Sequence, residues 1–340
     1  MNKKPIQRNF LWMALFLLAT IWILARHNRP VPYQSDHGRI FGTLYNITYQ
    51  SENNLRTAIE AELHRFDGSL SPFNDTAVIT RINRNEDIYP DTLFTNVFHR
   101  SMEISRETQG AFDITVAPLV NAWGFGFKKG IYPNAKQVDS LLQMTDYRKV
   151  KLSDEGKVVK EDKRIMLTCS AVAKGYAVDI IAQLLQKNGI ENYMVDIGGE
   201  VVVHGNNPHQ KPWRIGINKP VDDSLAVNQE LQTVLQLNQG GIATSGNYRN
   251  FYYKDGKKYA HTIDPRTGYP VQHSLLSATV IARDCMSADA YATAFMVMGL
   301  EEAEAFANHH PDIDAYFIYS DEQGKLQTHY TQGMKKYLAK

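Results

Sequence analysis

The sequence predicts an α+β fold in which mixed or antiparallel sheets pack against helices. Runs rich in β-branched and aromatic residues alternate along the chain with segments whose apolar residues recur at helical spacing. Several predicted strands follow one another with only turn residues between them, as hairpins do, which disfavours a doubly wound parallel sheet. With 340 residues, the chain is long enough for one large domain or two closely packed ones.

The charge composition argues against a nucleic-acid partner. Lys and Arg total 37 and Asp and Glu total 36, so the chain lacks the basic surplus that binds phosphate backbones. We therefore expect a small or local partner and no nucleic acid. The two cysteines, Cys169 and Cys285, permit at most one disulfide and cannot form a zinc cluster on their own.

The N-terminus predicts a membrane anchor over residues 1–27. Lys3, Lys4 and Arg8 precede an apolar run over residues 10–25. No small-residue cleavage site and no lipidation cysteine follow the run, which favours a retained anchor over a cleaved signal; a buried core helix is the third interpretation. The basic residues favour a cytoplasmic N-terminus, so we expect inner-membrane attachment with the folded part on the periplasmic side.

A polar, Pro-rich linker is predicted over residues 28–38, followed by a folded domain over residues 39–340. Its first half contains a strand at 41–49, a helix that ends at Asp67-Gly68, a polar loop at 69–76 and an amphipathic helix that stops at Gly110. An aromatic bend at 123–127 precedes an insertion with a short helix at 128–145. Two strands joined by a polar turn are expected between residues 150 and 167.

A helix that begins near Ser170 and closes at Asn188-Gly189 has an unusual first turn. Gly175 within it costs about 1 kcal/mol relative to Ala, so a glycine there indicates that something approaches the backbone closely. A bound ligand and a neighbouring helix both satisfy that requirement.

Glycines also interrupt the strand-rich second half. The paired glycines in Asp196-Ile-Gly-Gly-Glu200 indicate a bulge, a hairpin or a close ligand contact. Strands are expected at 213–218 and 231–237. Residues 240–247, GGIATSGN, suit a turn, or an anion contact through backbone N–H groups. A helix at 301–309, a strand at 315–319 and a possible last strand complete the chain, and a solvated helix end explains the His and Asp residues at 309–314.

The stretch from Tyr259 to Thr293 combines groups that carry chemistry. His261 ends a short strand before a Pro-Gly turn at 264–268, and its imidazole, with a pKa of about 6.5, suits activation of a hydroxyl, although a lone histidine is often structural. Ser287 is the expected N-cap of the next helix. Asp289 and Thr293 then share one helical face and offer the oxygen ligands that Mg²⁺ prefers, although the helix dipole alone also explains the aspartate.

Eight blocks, taken in order, resemble the ApbE family of FAD:protein FMN transferases. The resemblance covers about residues 39 to 310. The blocks are FGT at 41–43, SPFN at 71–74, AFD at 111–113, AKGYAVD at 173–179, DIGG at 196–199, ATSGNYR at 243–249, and HTIDPRTG at 261–268 with MSADAYAT at 286–293.

This resemblance implies an exported or membrane-tethered enzyme that binds FAD and Mg²⁺. Such an enzyme transfers FMN to a Thr or Ser of an acceptor flavoprotein, itself exported or in the membrane, and releases AMP. It implies metal ligation by the side chains of Asp289 and Thr293 and the carbonyl of Ala173, with His261 as the reactive histidine. The implied FAD contacts are Phe41, Phe73, Ala111, Phe112, Asp113, Lys174, Tyr176, Asp179, Thr244 and Ser245.

Two departures from the family pattern are visible. Ser170-Ala-Val172 stands where members often carry two glycines, and no lipidated cysteine follows the apolar run. Two rival functions stay open: a Mg²⁺-dependent FAD hydrolase that produces FMN and AMP, and an exported flavin-binding protein without turnover. If the segments after Cys169 and Cys285 line one metal site, the two thiols are neighbours, and we expect that they can form a disulfide beside it.

Overall fold

The computed structural model describes residues 12–18, 20, 30–126, 132–220, 230–248, 251–254 and 257–339. Most of the predicted anchor lies outside these residues, as does part of the predicted insertion at 128–145. Within the described part of the chain, no helix combines the length and apolar character needed to cross a membrane.

An eight-stranded sheet forms the centre of the fold, and every pair of neighbouring strands in it is antiparallel. Its order is β1-β2-β5-β6-β9-β12-β13-β14. The remaining strands form three two-stranded hairpins, β3-β4, β7-β8 and β10-β11. The strands are β1 Tyr33–Ile40, β2 Thr43–Gln50, β3 Val150–Leu152, β4 Val158–Lys160, β5 Tyr193–Ile197, β6 Glu200–His204, β7 Trp213–Asn218, β8 Leu231–Leu237, β9 Gln239–Gly246, β10 Phe251–Lys254, β11 Lys257–Ala260, β12 Leu275–Ala282, β13 Asp314–Ser320 and β14 Leu326–Tyr330.

The helices pack mainly on one face of this sheet. They are α1 Arg56–Leu70, α2 Val78–Asn83, α3 Thr92–Glu107, α4 Ala117–Ala122, α5 Ala135–Leu142, α6 Ala173–Lys187, α7 Cys285–Met298 and α8 Leu300–Asn308. Helix α7 is apolar almost all round, and 11 of its 14 residues are buried. An apolar helix of this kind belongs inside a core, where α7 contacts β9, β12 and α6.

Strand alternation divides the core between the two faces of the sheet. Val202 and Ala243 point into the large cluster under the helices, whereas Val201 and Ile242 point into a second cluster on the opposite face. Hairpin β7-β8 covers that second cluster with Trp213 and neighbouring apolar residues. The expected α+β class with antiparallel sheets and packed helices is therefore confirmed.

The predicted linker over residues 28–38 is wrong over most of its length. Residues 33–38 belong to β1, the edge strand, which pairs with β2 along its whole length. Asp36, 3% exposed, accepts a hydrogen bond from the Tyr49 hydroxyl (2.8 Å), so the polar composition of this segment hides a buried contact. Helix α1 also runs past the predicted stop at Asp67-Gly68, to Leu70.

The glycine-rich residues 240–247 form most of strand β9 and not a turn or an anion loop. Packing against α7 explains the glycines, because a Cβ on Gly241 would lie 2.3 Å from the backbone nitrogen of Cys285. The paired glycines at 198 and 199 do form a hairpin turn between β5 and β6, with positive φ at both residues.

Candidate active site

The site is built where the first turns of α6 and α7 touch. A Cβ on Gly175 would lie 2.2 Å from the carbonyl oxygen of Cys285 and 2.9 Å from the Cβ of Asp289. The close approach that this glycine predicted is therefore made by a neighbouring helix. It brings the head of α6, through Gly175, directly against Asp289.

Asp289 and Thr293 lie one turn apart on α7, as predicted. Asp289 is 4% exposed, and its Oδ2 accepts a hydrogen bond from the Gly175 N–H at 3.1 Å. Burial raises the pKa of Asp289, against the opposing effects of the Lys174 charge and that N–H. The Thr293 hydroxyl lies 3.2 Å from that of Ser245 on β9.

Thr244, the neighbour of Ser245, forms its side-chain contact within the sheet. Its hydroxyl lies 2.8 Å from the hydroxyl of Thr279 on β12, the residue that pairs with it in register. Ser245 is therefore the member of the predicted pair that reaches α7, whereas Thr244 ties two central strands together.

An ion pair joins the head of α6 to the hairpin between β5 and β6. The Lys174 ammonium contacts Oε1 of Glu200, the first residue of β6. Burial opposes the charge on Lys174, but the carboxylates of Glu200 and Asp289 outweigh it and raise the Lys174 pKa. Glu200 was not among the site residues predicted from the sequence; the signal for it was a charged residue at the start of an otherwise apolar strand.

Aromatic residues form a cavity of about 190 Å³ beside these groups. Phe41, Phe66 and Phe73 line it together with Ala173 and Lys174. The Phe41 ring packs on that of Phe66 at a centroid distance of 5.3 Å, whereas Phe73 is 77% exposed. Two predicted FAD contacts, Phe41 and Phe73, thus share one cavity with two predicted residues of the α6 head.

Asp179 caps the helix that carries Asp289. Its two oxygens accept hydrogen bonds from the N–H groups of Cys285 (2.9 Å) and Met286 (2.8 Å). Burial raises the pKa of Asp179 to about 7, although both N–H groups oppose the shift. Tyr176, one turn earlier, is 5% exposed, and its hydroxyl accepts a hydrogen bond from Asn96. Both residues line a second, polar cavity between α3 and α6.

The segment 111–113 lies in the interior. Ala111 and Phe112 are 1% and 2% exposed. Asp113 accepts hydrogen bonds from the N–H and hydroxyl of Thr115 (2.7 and 2.6 Å) and from the N–H of Tyr147 (2.7 Å). Burial raises its pKa to about 6, and these donors limit the shift. Asp113 also lines a third cavity that includes Pro265 of the turn after His261.

His261 follows β11, and contacts of the adjacent Thr262 and of its own ring position it. The Thr262 hydroxyl donates to Asn247 at 2.7 Å, and Asn247 lies two residues beyond Ser245. The His261 ring meets Phe125 edge-on, with centroids 6.4 Å apart. This chain of contacts connects His261 to the strand whose Ser245 contacts α7.

The predicted turn after His261 is confirmed. The Gly268 N–H donates to the Asp264 carbonyl at 2.8 Å, and Gly268 has a φ of 79°. The Trp123 indole donates to the Gly268 carbonyl at 2.8 Å and stacks on Tyr259. The aromatic bend at Trp123 therefore supports the segment that carries His261.

Two smaller predictions are wrong. The N-cap of α7 is Asp284 and not Ser287; the Asp284 side chain accepts from the Ser287 N–H at 2.7 Å, so the helix begins three residues earlier than expected and Asp289 lies in its second turn. Cys169 and Cys285 are free thiols, both buried, and the expected disulfide is not formed. The Cys285 thiol instead contacts the carbonyl of Ile242 at 3.3 Å.

Comparison with known proteins identifies the family of the chain. Residues 41–317 match the family model described as the ApbE family. A FAD:protein FMN transferase from Vibrio cholerae serotype O1 is 34% identical over 338 residues, which are 96% of this chain and 99% of the relative. One from Escherichia coli strain K12 is 33% identical and covers 85% of this chain and 87% of its own length.

Solved structures of this family are also similar to the chain over most of its length. The flavin transferase ApbE from Vibrio cholerae has a TM-score of 0.81 and 33% identity over 91% of this chain and 100% of its own. The apo form of Pseudomonas stutzeri flavinyl transferase ApbE has a TM-score of 0.80 and 28% identity, over 91% of this chain and 98% of its own. Since the family match and the relatives each span most of its length, this chain belongs to the ApbE family.

Proposed function

We propose that this protein transfers the FMN moiety of FAD to a Thr or Ser hydroxyl of an acceptor flavoprotein and releases AMP. The observation that carries the proposal is the shared site: the cavity of Phe41 and Phe73 opens onto the α6 head, where Lys174 adjoins the buried Asp289. An aromatic cavity suits the isoalloxazine ring, and the adjoining charges suit a diphosphate.

The residues present fit a Mg²⁺ ion, which we include in the proposal. Asp289 is buried with one described hydrogen bond, and Thr293 lies one turn further on the same helix. With the carbonyl of Ala173, these are hard oxygen ligands, few in number, as Mg²⁺ accepts when substrate phosphates complete its shell. A bound Mg²⁺ would neutralise charge on the diphosphate of FAD and stabilise the leaving phosphate.

Lys174 contributes a positive charge that is already present before the reaction begins. Its ammonium is held at the wall of the cavity of Phe41 and Phe73, where it can contact the diphosphate that joins the FMN and AMP halves of FAD. Such a preorganised charge stabilises the transition state of phosphoryl transfer without reorganisation during the reaction.

His261 would accept the proton of the acceptor hydroxyl. The hydroxyl oxygen attacks the phosphorus of the FMN half, a new P–O bond forms, and the bond to the AMP phosphate breaks. The acceptor proton passes to the imidazole, and AMP leaves with the bridging oxygen. The rigid turn at 264–268 and the contact of Thr262 with Asn247 hold His261 for this role.

The experiment is intact-mass spectrometry of an acceptor flavoprotein fragment after incubation with this protein, FAD and Mg²⁺. We expect the mass of the fragment to increase by that of one FMN less one water, and AMP to be released in equal amount. AMP release that does not require the acceptor would point to the FAD hydrolase instead. Bound but intact FAD, with every acceptor tested, would point to a flavin-binding protein.

We also propose that residues 1–27 anchor the protein in the inner membrane and leave the domain in the periplasm. The basic residues before the apolar run at 10–25 support this orientation. The acceptor would then be a flavoprotein segment exposed on the same side of that membrane.

A further inference from the structure

Glu200 combines deep burial with an incomplete set of hydrogen bonds. The residue is 3% exposed, and its Oε2 atom is buried without a hydrogen-bond partner. Its Oε1 atom pairs with Lys174. A buried charged residue without full satisfaction is costly, so its presence on the apolar strand β6 calls for an explanation in terms of Lys174.

Two carboxylates of the site attract the Lys174 ammonium. Both Glu200 and Asp289 act on its charge, but its hydrogen bond goes to Glu200. Asp289 instead accepts a hydrogen bond from the N–H of Gly175. The three side chains carry one positive and two negative formal charges, which leaves one unbalanced negative charge at the site.

We propose that Glu200 is a positioning residue that keeps the Lys174 ammonium away from Asp289, so that Asp289 stays available to a divalent cation. This inference rests on the proposed Mg²⁺ role of Asp289. Without the Glu200 charge, the half-buried ammonium would turn to its other carboxylate neighbour, because an unpaired charge in that setting is unfavourable. Lys174 would then occupy the cation position.

The experiment is calorimetric titration of Mg²⁺ into the full chain without FAD. We expect Glu200→Gln to weaken Mg²⁺ binding at least about tenfold, because the ammonium competes for Asp289. We expect the double variant K174M/E200Q to bind Mg²⁺ within about threefold of the wild type, since it has no competing ammonium. This recovery separates positioning from a merely structural contribution.

Asp196→Asn is the matched control. Asp196 holds the same hairpin through the Gly199 N–H (3.0 Å) and feels the Lys174 charge at longer range, but the described ion pair of Lys174 is with Glu200. Its replacement therefore removes a nearby carboxylate of the hairpin and leaves the Lys174–Glu200 contact in place. Its Mg²⁺ affinity should equal that of the wild type. Thermal unfolding of every variant shows whether it is folded.

Each outcome decides a different point. A wild type that does not bind Mg²⁺ would overturn the proposed metal role itself. Wild-type affinity in Glu200→Gln, or a double variant no better than Glu200→Gln, would overturn the positioning role. If Glu200→Gln does not fold, K174M/E200Q decides alone: affinity about tenfold below the wild type would mean that Glu200 acts directly on the cation.

Discussion

Three aspartates of the site region, Asp113, Asp179 and Asp289, share a raised pKa caused by burial but differ in their internal donors. Asp113 accepts three described hydrogen bonds, Asp179 accepts two, and Asp289 accepts one. A carboxylate offers about four acceptor positions. Asp289 therefore keeps the most capacity for an external ligand, which suits it to a cation.

The role of His261 is tested by His261→Ala. We expect transfer of FMN to fall at least about 100-fold, because the acceptor hydroxyl loses its proton acceptor. FAD affinity, measured by flavin fluorescence, should stay within about twofold of the wild type, since His261 does not line the cavity of Phe41 and Phe73. Equal loss of FAD binding and of transfer would contradict a role confined to proton transfer.

The exposed Phe73 ring should act on the flavin and not on the fold. We expect Phe73→Ala to weaken FAD binding about tenfold, because the cavity loses one aromatic wall. The free energy of unfolding should change little, since the side chain is 77% exposed. Tyr89→Ala removes another exposed aromatic ring, 63% exposed and outside that cavity, and should leave FAD affinity unchanged.

At the scale of elements, the contact between α6 and α7 decides whether the site exists. Gly175→Ala would place a methyl group against the backbone of Cys285. We expect a loss of about 2 kcal/mol in the free energy of unfolding and weaker Mg²⁺ binding, because the helices must separate. Urea unfolding and calorimetry provide the two measurements.

Gly68→Ala is the control for that substitution. Gly68 also lies within a helix, α1, but a Cβ there would have no heavy atom within 4 Å. The change should raise the free energy of unfolding by about 0.5–1 kcal/mol through helix propensity. Equal destabilisation by both alanines would contradict the packing argument.

The cap that Asp179 forms on α7 has a predictable pH dependence. Burial raises its pKa from 3.8 to about 7, so the folded state binds the proton more tightly than the unfolded state. Its contribution to stability is full below about pH 3.8 and is lost as the pH rises through about 7. The free energy of unfolding of the wild type, relative to Asp179→Asn, should therefore fall by at least about 1 kcal/mol between pH 4.5 and 8.

Urea unfolding of both proteins at the two pH values measures this difference. Comparing how much the free energy of unfolding changes with pH in each protein removes the constant cost of replacing a carboxylate by an amide. A constant difference between the proteins would show that Asp179 does not titrate in this range.

At the scale of the whole molecule, removal of residues 1–29 tests the proposed anchor. Strand β1 begins at Tyr33, so the truncation leaves the described domain intact. The full chain should stay with membranes through a high-salt wash and be released by detergent, whereas the truncated form should be recovered in the soluble fraction. Release of the full chain by salt alone would contradict a spanning anchor.

Local patterns determined the class of fold and many of the elements. Helical spacing and β-rich runs predicted helices and hairpins that the structure confirms, including the glycine hairpin at 198–199 and the turn after His261. Hydrophobic periodicity and turn chemistry act within a few residues, so they can be recognised without knowledge of the fold. Among the residues of the ordered family blocks, Phe41, Phe73 and Lys174 line one cavity.

Only the tertiary structure decided which of those residues meet. The partner of Lys174 is Glu200, 26 residues away, and Gly175 faces Asp289 across 114 residues, so no local pattern reveals either contact. The same cause explains the errors at β1 and β9. A polar segment became a strand because β2 pairs with it, and a glycine-rich segment became a strand because α7 packs closely upon it. Such pairings depend on which distant surfaces bury each other, and composition alone does not encode that choice.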